Sequence, residues 1–488
     1  MDEIPAALIC IKARRTPPFA FYPITLEKDP TISTDTFFAA LARFRDRILP
    51  APAQAWLRTP RGLWSVFAVV HLFFVIFAAV LSLRGEAFSD TFIYRAWAEA
   101  GFDPTQVTGP SPWVYPILAQ IPMAVAYMFG SGAFLFIWVL MITILNGLAV
   151  AKLTSWGRNT QAIPAALWWI GFTALLGWLG FARVDGLTAP MVLIALSIGV
   201  AQPFLTSVIL SVATWVKVWP AAVVLALLTV VKQRVQVILA GMLVTAFVVA
   251  LALSLNALPK LLTFLLEQGD RGMQLEATFT TPWLWMSVLN IGGARMFMNH
   301  DINSMQVDGP GTEVMSVLMQ PLLVLAALVV AALIFWALHT GKRKGGADRT
   351  ELLLLGSLAL ATAFVVFNKV GSPQFMVWLS PAVAVGMAYN MKAWRVPAAM
   401  LIGIGALTFL VYPLFYDALS HNNPVMAAVL TLRNLMLVLL FIWSVRALFL
   451  AGRKTGSVPG VGPGTSAQST HDGASPSAPA GTATGKES

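Results

Sequence analysis

The sequence predicts an all-α, polytopic membrane protein of about twelve transmembrane helices. Three observations predict it. Of 488 residues, 58% are hydrophobic and only 11% are charged, where soluble domains carry about 25% charged residues. Several apolar runs reach the roughly 20 residues needed to cross hydrocarbon. Lys and Arg concentrate in short loops at alternate ends of these runs, the bias that sets orientation in a bilayer. The net charge of +10 belongs to that bias, so membrane lipids and not nucleic acid are the expected surroundings. A single Cys10 excludes a disulfide framework and a cysteine metal cluster, and the five His are scattered without an HExxH pair. No metal and no cofactor are expected.

Residues 1–63 form a cytoplasmic arm. Within it Phe37, Leu41, Phe44 and Ile48 recur at helical spacing beside Arg43 and Arg47. Either an amphipathic helix on an anionic inner leaflet or a solvated arm accounts for the pattern. The first span, 64–83, follows a basic stretch and reads as an uncleaved anchor, which places the N-terminus inside. A long outer loop comes next. Its apolar piece 116–129 is short for a span, and reading it as a juxtamembrane helix leaves Lys152 and Arg158 inside. The remaining spans then alternate: 132–151, 162–181, 187–201, 204–219, 220–231, 235–255, 314–338, 352–367, 373–389, 396–414 and 425–450. Inner loops carry Lys152, Lys232, Lys342 and Lys392, and both termini are cytoplasmic. The transmembrane domain covers 64–451, and the Gly/Ser/Pro-rich residues 452–488 predict a disordered cytoplasmic tail. No internal repeat is evident.

This path collects polar residues on the outer face. The first outer loop carries Ser89-Asp90-Thr91, then Pro112-Trp113-Val114-Tyr115-Pro116-Ile117-Leu118-Ala119. Later outer segments carry Ala182-Arg183-Val184-Asp185, Lys217-Val218-Trp219-Pro220, Arg271-Gly272-Met273-Gln274-Leu275-Glu276 with Thr281-Pro282-Trp283, and Asn368-Lys369-Val370-Gly371-Ser372-Pro373-Gln374-Phe375. An Asp after the first span and a Tyr-Pro-x-Leu-Ala element resemble the GT-C membrane glycosyltransferases. The later motifs resemble glycosyltransferase family 87, the polyprenol-phosphate-mannose-dependent α-mannosyltransferases. The resemblance runs from about residue 64 to 450. Tyr115-Pro116-Ile117 departs from it, since related proteins often carry a second Pro there.

The resemblance implies a GT-C fold with juxtamembrane helices in the first outer loop. It also implies a polyprenyl-phosphate-hexose donor, mannose being the family's sugar, and an inverting transfer at the outer face of the cell membrane. The acceptor would be a glycolipid or another cell-envelope glycan. By its match to the family's first-loop Asp, Asp90 is the expected general base; helix capping is the structural alternative. Lys217, Arg271 and Lys369 are candidates for the donor phosphate, against snorkelling for the lysines and a surface ion pair for Arg271. Tyr94, Tyr115, Arg183, Asp185, Gln274, Glu276, Trp283, His300 and Gln374 are candidate substrate contacts. A local ion pair is the alternative for Arg183 and Asp185, interfacial anchoring for Trp283, and a solvated loop for His300. Gln274 and Glu276 share a face only if their stretch is extended. Arg433 lies within the last span, where a charge needs a partner, either Asp417 outward or a phosphate-holding cavity inward. The rival reading is a carrier or flippase for a lipid-linked sugar, which predicts ionisable groups along a path through the membrane. A noncatalytic assembly subunit is a third reading.

Overall fold

A computed structural model describes residues 34–101, 113–258, 261, 272–300, 302, 304–342 and 348–453. The chain divides into two compact units, 1–57 and 58–488. The first contains the helices Thr34–Ile48 and Ala51–Leu57. Phe37, Leu41, Phe44 and Ile48 lie exposed along the former, so the helical spacing read from the sequence is real. The expected tail lies outside the described residues except for its first two positions, which end the last helix.

The second unit is a helical, multi-pass membrane protein. Among the described residues, seven helices are long and apolar enough to cross a membrane: Pro60–Leu83, Ser131–Thr154, Arg234–Ser254, Thr312–Gly341, Arg349–Val366, Met391–Leu414 and Pro424–Arg453. Five shorter apolar helices accompany them there: Ile117–Tyr127, Thr160–Leu176, Asp185–Ala201, Pro203–Val216 and Pro220–Val230. Long helices expose large apolar side chains such as Val69, Phe73, Phe247 and Val317. In water such faces are a liability; against lipid they are the natural outer surface. Arg349–Val366, in contrast, is buried almost throughout, packed in the main core against Pro220–Val230, Thr312–Lys342 and Pro424–Arg453.

Local chemistry sets the helix ends. Thr59 caps the first long helix, accepting a bond from the Gly62 amide at 3.1 Å, and Pro60 takes the first turn, where its missing N–H costs nothing. Asp348 caps Arg349–Val366 by accepting from Thr350 and Glu351. Pro220 starts a new helix and cannot continue the previous one, so the chain is extended at Lys217. Gly180 and Gly186 approach so closely that a side chain at 186 would strike the Gly180 carbonyl. That close approach forms the tight turn carrying Arg183 and Asp185.

The helical fold carries one short β element. Residues Arg295–Asn299 (β1) and Ser304–Asp308 (β2) form an antiparallel hairpin in register Arg295↔Asp308. The segment around Gln274 extends it through an isolated bridge to Gln306. In β2, Ser304-Met305-Gln306-Val307-Asp308 alternates polar and apolar residues, a period-2 signal that the surrounding helical runs obscured.

Candidate active site

One cavity of about 330 Å³ collects most of the polar residues expected at the outer face. Helices lie between successive lining residues: Ser131–Thr154 and Thr160–Leu176 are among those between Asp90 and Arg183, Asp185–Ala201 and Pro203–Val216 run between Arg183 and Lys217, and Pro220–Val230 and Arg234–Ser254 precede Glu276. Thr312–Gly341 and Arg349–Val366 precede Gln374, and Ser380–Tyr389 and Met391–Phe409 precede Tyr412. The cavity therefore lies at one end of the helices.

Its cationic end is built from two crossed ion pairs. Arg183 pairs with Asp90, and Lys217 Nζ lies 3.6 Å from Asp185. Neither pair is the local Arg183–Asp185 contact that the tight turn suggested. Asp90 occupies the N-cap position of the helix Thr91–Ala100 but makes no side-chain capping bond. Its carboxylate faces the guanidinium instead. Lys217 does not snorkel: it sits 4.3 Å from the centre of the Tyr115 ring, close enough for a cation–π contact. Asp185 is fully buried and accepts a 2.6 Å bond from the Trp378 indole, so it supports Lys217 from behind and does not line the cavity. Burial lowers the Arg183 pKa, while Tyr412 and Asp185 oppose that shift. Tyr94 bonds the Tyr115 hydroxyl at 3.2 Å, and burial first, then Tyr115, raises its pKa well above the ordinary range.

The opposite side is rich in hydrogen-bonding groups. The Leu275 amide bonds the Met305 carbonyl and the Val307 amide bonds the Met273 carbonyl, but the chain is not extended beyond Gln274: it turns at Leu275 and Glu276, the Ala277 amide bonding the Gln274 carbonyl at 3.0 Å, and both Gln274 and Glu276 reach the cavity through that turn. Gln274 accepts from the Gly371 amide at 3.0 Å and from Ser372 at 3.3 Å. Gly371 packs against the Glu276–Ala277 backbone, leaving no room for a side chain. Glu276 is 2% exposed, bonds Tyr416 and Gln274, and keeps one carboxyl oxygen without a hydrogen-bond partner among the described residues. Arg433 takes neither expected course: it does not line the cavity and does not pair with Asp417. Its guanidinium bonds the Glu276 carbonyl and the Asn434 side chain, while Asp417 pairs with His421 at 3.5 Å. The buried charge thus holds the loop that presents Glu276.

Burial raises the Glu276 pKa, and Tyr416 leads the opposing contributions. The folded protein therefore keeps this proton at pH values where an unfolded glutamate, with a pKa of about 4.3, has lost it. That contribution to stability is fully present below the unfolded value and is lost as pH rises through the raised folded value. Glu276→Gln is expected to flatten this decline in thermal unfolding scans run from about pH 4 to pH 8. An unchanged slope would mean that the carboxyl group is ionised throughout.

Asp90, Tyr94, Tyr115, Arg183, Lys217, Gln274, Glu276 and Gln374 line the cavity together. Among the other candidates, Asp185 backs the lining, and Lys369, Trp283 and His300 do not line the cavity. Lys369 is absent from the lining, and its carbonyl accepts from the Gln274 amide at 2.9 Å, because the chain must pair there to present Gln274. Trp283 packs in a separate apolar cluster and donates to the Pro310 carbonyl at 2.9 Å. His300 is exposed at the hairpin turn. Arg271 lies outside the described residues. Tyr412 and Tyr416 were missed by the sequence reading. A signal existed: the chain has only 7 Tyr, and four of them line this cavity. Comparison of the chain with protein-family models, with curated proteins and with solved structures finds no match.

Proposed function

We propose that the protein is a GT-C-type membrane glycosyltransferase of about twelve spans. It would move a hexose, with mannose implied by the resemblance, from a polyprenyl-phosphate donor to a lipid-linked or cell-envelope glycan acceptor. The observation that carries this reading is the cavity's division of labour. A partly exposed carboxylate, Asp90, stands beside two cations, Arg183 and Lys217, and faces a wall of amide, hydroxyl and carboxyl groups. Sugar hydroxyls match the Gln274, Glu276, Ser372 and Gln374 side. A leaving phosphate matches the cations, whose charge counts for more in a site partly closed to water. Asp90 takes the acceptor proton as the acceptor oxygen attacks C1 from the face opposite the phosphate, which inverts that centre. Incubating the purified protein with radiolabelled polyprenyl-phosphate mannose and a lipid-glycan extract tests the reading. Label on a glycan is expected, and intact donor throughout would refute it.

The proposed topology puts the cavity on the outer face. Parity supports its path. Asp90 and Arg183 touch, so an even number of crossings separates them, and Ser131–Thr154 with Thr160–Leu176 supply two. A crossing by Ile117–Tyr127 would make three. Length does not decide the matter, because Pro220–Val230 is equally short. For a labelling test, Thr91 is too buried at 1% exposure, whereas Glu86 and Lys232 are exposed. In a chain with Cys10 replaced by Ser, Glu86→Cys is expected to react with an impermeant thiol reagent added to intact cells, and Lys232→Cys is not. Reversed labelling would place the cavity inside.

A further inference from the structure

The cationic end of the cavity is already balanced. Arg183 faces Asp90 and Lys217 faces Asp185. An arriving phosphate must compete with one of these carboxylates. Asp185 is poorly placed to yield: it is fully buried, and the Trp378 indole holds it at 2.6 Å. Separating it from Lys217 would leave a charge stranded in a dry site. Asp90 is better placed. Its side chain is 25% exposed and makes no capping bond to its own helix. Arg183 also has capacity to spare. Its Nε has no hydrogen-bond partner among the described residues, its Nη2 reaches the Tyr412 hydroxyl only at 3.5 Å, and a guanidinium presents a planar fork suited to phosphate oxygens.

We propose that Arg183 exchanges partners, so that the donor's phosphate takes the guanidinium from Asp90 and the freed carboxylate becomes available to the acceptor only once the donor is bound. This rests on the transferase reading and adds an order of events to it. In the step itself the acceptor O–H proton passes to Asp90 and the acceptor oxygen bonds C1. The bond from C1 to the phosphate oxygen breaks with its electron pair on the phosphate. The added phosphate charge falls on the group that Arg183 now holds. A carboxylate released from a guanidinium accepts a proton more readily than one still paired. Before the donor binds, the same carboxylate is held by Arg183 and is a poor base.

Binding of farnesyl phosphate, a short prenyl monophosphate, to the purified full-length protein tests the exchange without requiring turnover. Asp90→Asn removes the internal competitor and is expected to tighten binding by about tenfold or more, the scale of one regained charge-assisted hydrogen bond. Arg183→Gln is expected to weaken binding, and adding Asp90→Asn to it is expected to change nothing further. Equal tightening by Asp90→Asn in both backgrounds would mean simple charge repulsion and overturn the exchange. So would an Asp90→Asn variant with wild-type affinity. In either case the bound phosphate leaves the transferase reading intact. Absence of binding in every variant would remove both the exchange and that reading. Should Arg183→Gln fail to fold, Arg183→Lys keeps the charge but loses the fork, and a smaller yet nonzero coupling to Asp90→Asn is expected.

Discussion

Asp90→Asn is expected to lower transfer from polyprenyl-phosphate mannose by about 10²- to 10⁴-fold, the usual contribution of a positioned general base. The replacement keeps the side chain's shape and an oxygen for Arg183 but can no longer take a proton. Binding of the donor should survive, because the cations, the tyrosines and the amide wall remain. The loss should therefore fall on kcat, while donor KM should drop with the tighter phosphate binding expected of this variant. Transfer by both proteins would keep the enzyme and reject Asp90 as its base. Attention would then move to Glu276, the other carboxyl group lining the cavity. Transfer by neither, with movement of the lipid-linked sugar across vesicles, would favour a carrier.

Lys217→Met is expected to destabilise the folded protein by roughly 3–5 kcal/mol, the scale observed when one partner of a buried ion pair is removed. The reason is Asp185, which is fully buried while Lys217 retains only 13% side-chain exposure. Without the ammonium, the Asp185 carboxylate keeps a single neutral donor, the Trp378 indole. Pairing Lys217→Met with Asp185→Asn should restore most of the loss, because Asn still accepts from that indole and carries no charge. Chemical unfolding of the four proteins in one detergent measures the coupling. A double variant no better than Lys217→Met alone would show that the pair is not the source of the loss. Donor binding should remain weak in the double variant even when stability returns, which separates the two roles of Lys217.

Fold class was legible in the sequence because hydrocarbon imposes a coarse rule. A run must be long and apolar enough to span, and its flanking charges must alternate. Thus the long helices begin and end close to the expected bounds; the first starts at Pro60, where residue 64 was expected. Site membership was partly legible for a related reason. A polar residue that the path leaves at one membrane face can only meet others at that face, and eight of the expected residues do line one cavity. The β1–β2 hairpin was less legible, because its short period-2 pattern is bounded by strongly helical runs.

Partners were not legible at all. Sequence proximity joins Arg183 to Asp185, yet the folded chain gives Arg183 to Asp90 and Asp185 to Lys217. Arg433 could face Asp417 or the interior, and only packing turned it to the Glu276 loop. Lys369 and Gln374 occupy one motif, but only Gln374 reaches the cavity. The physical reason is range. Hydropathy and flanking charge act segment by segment and are written locally along the chain. A salt bridge depends on a few ångströms between groups tens to hundreds of residues apart, and that separation exists only once the helices have packed.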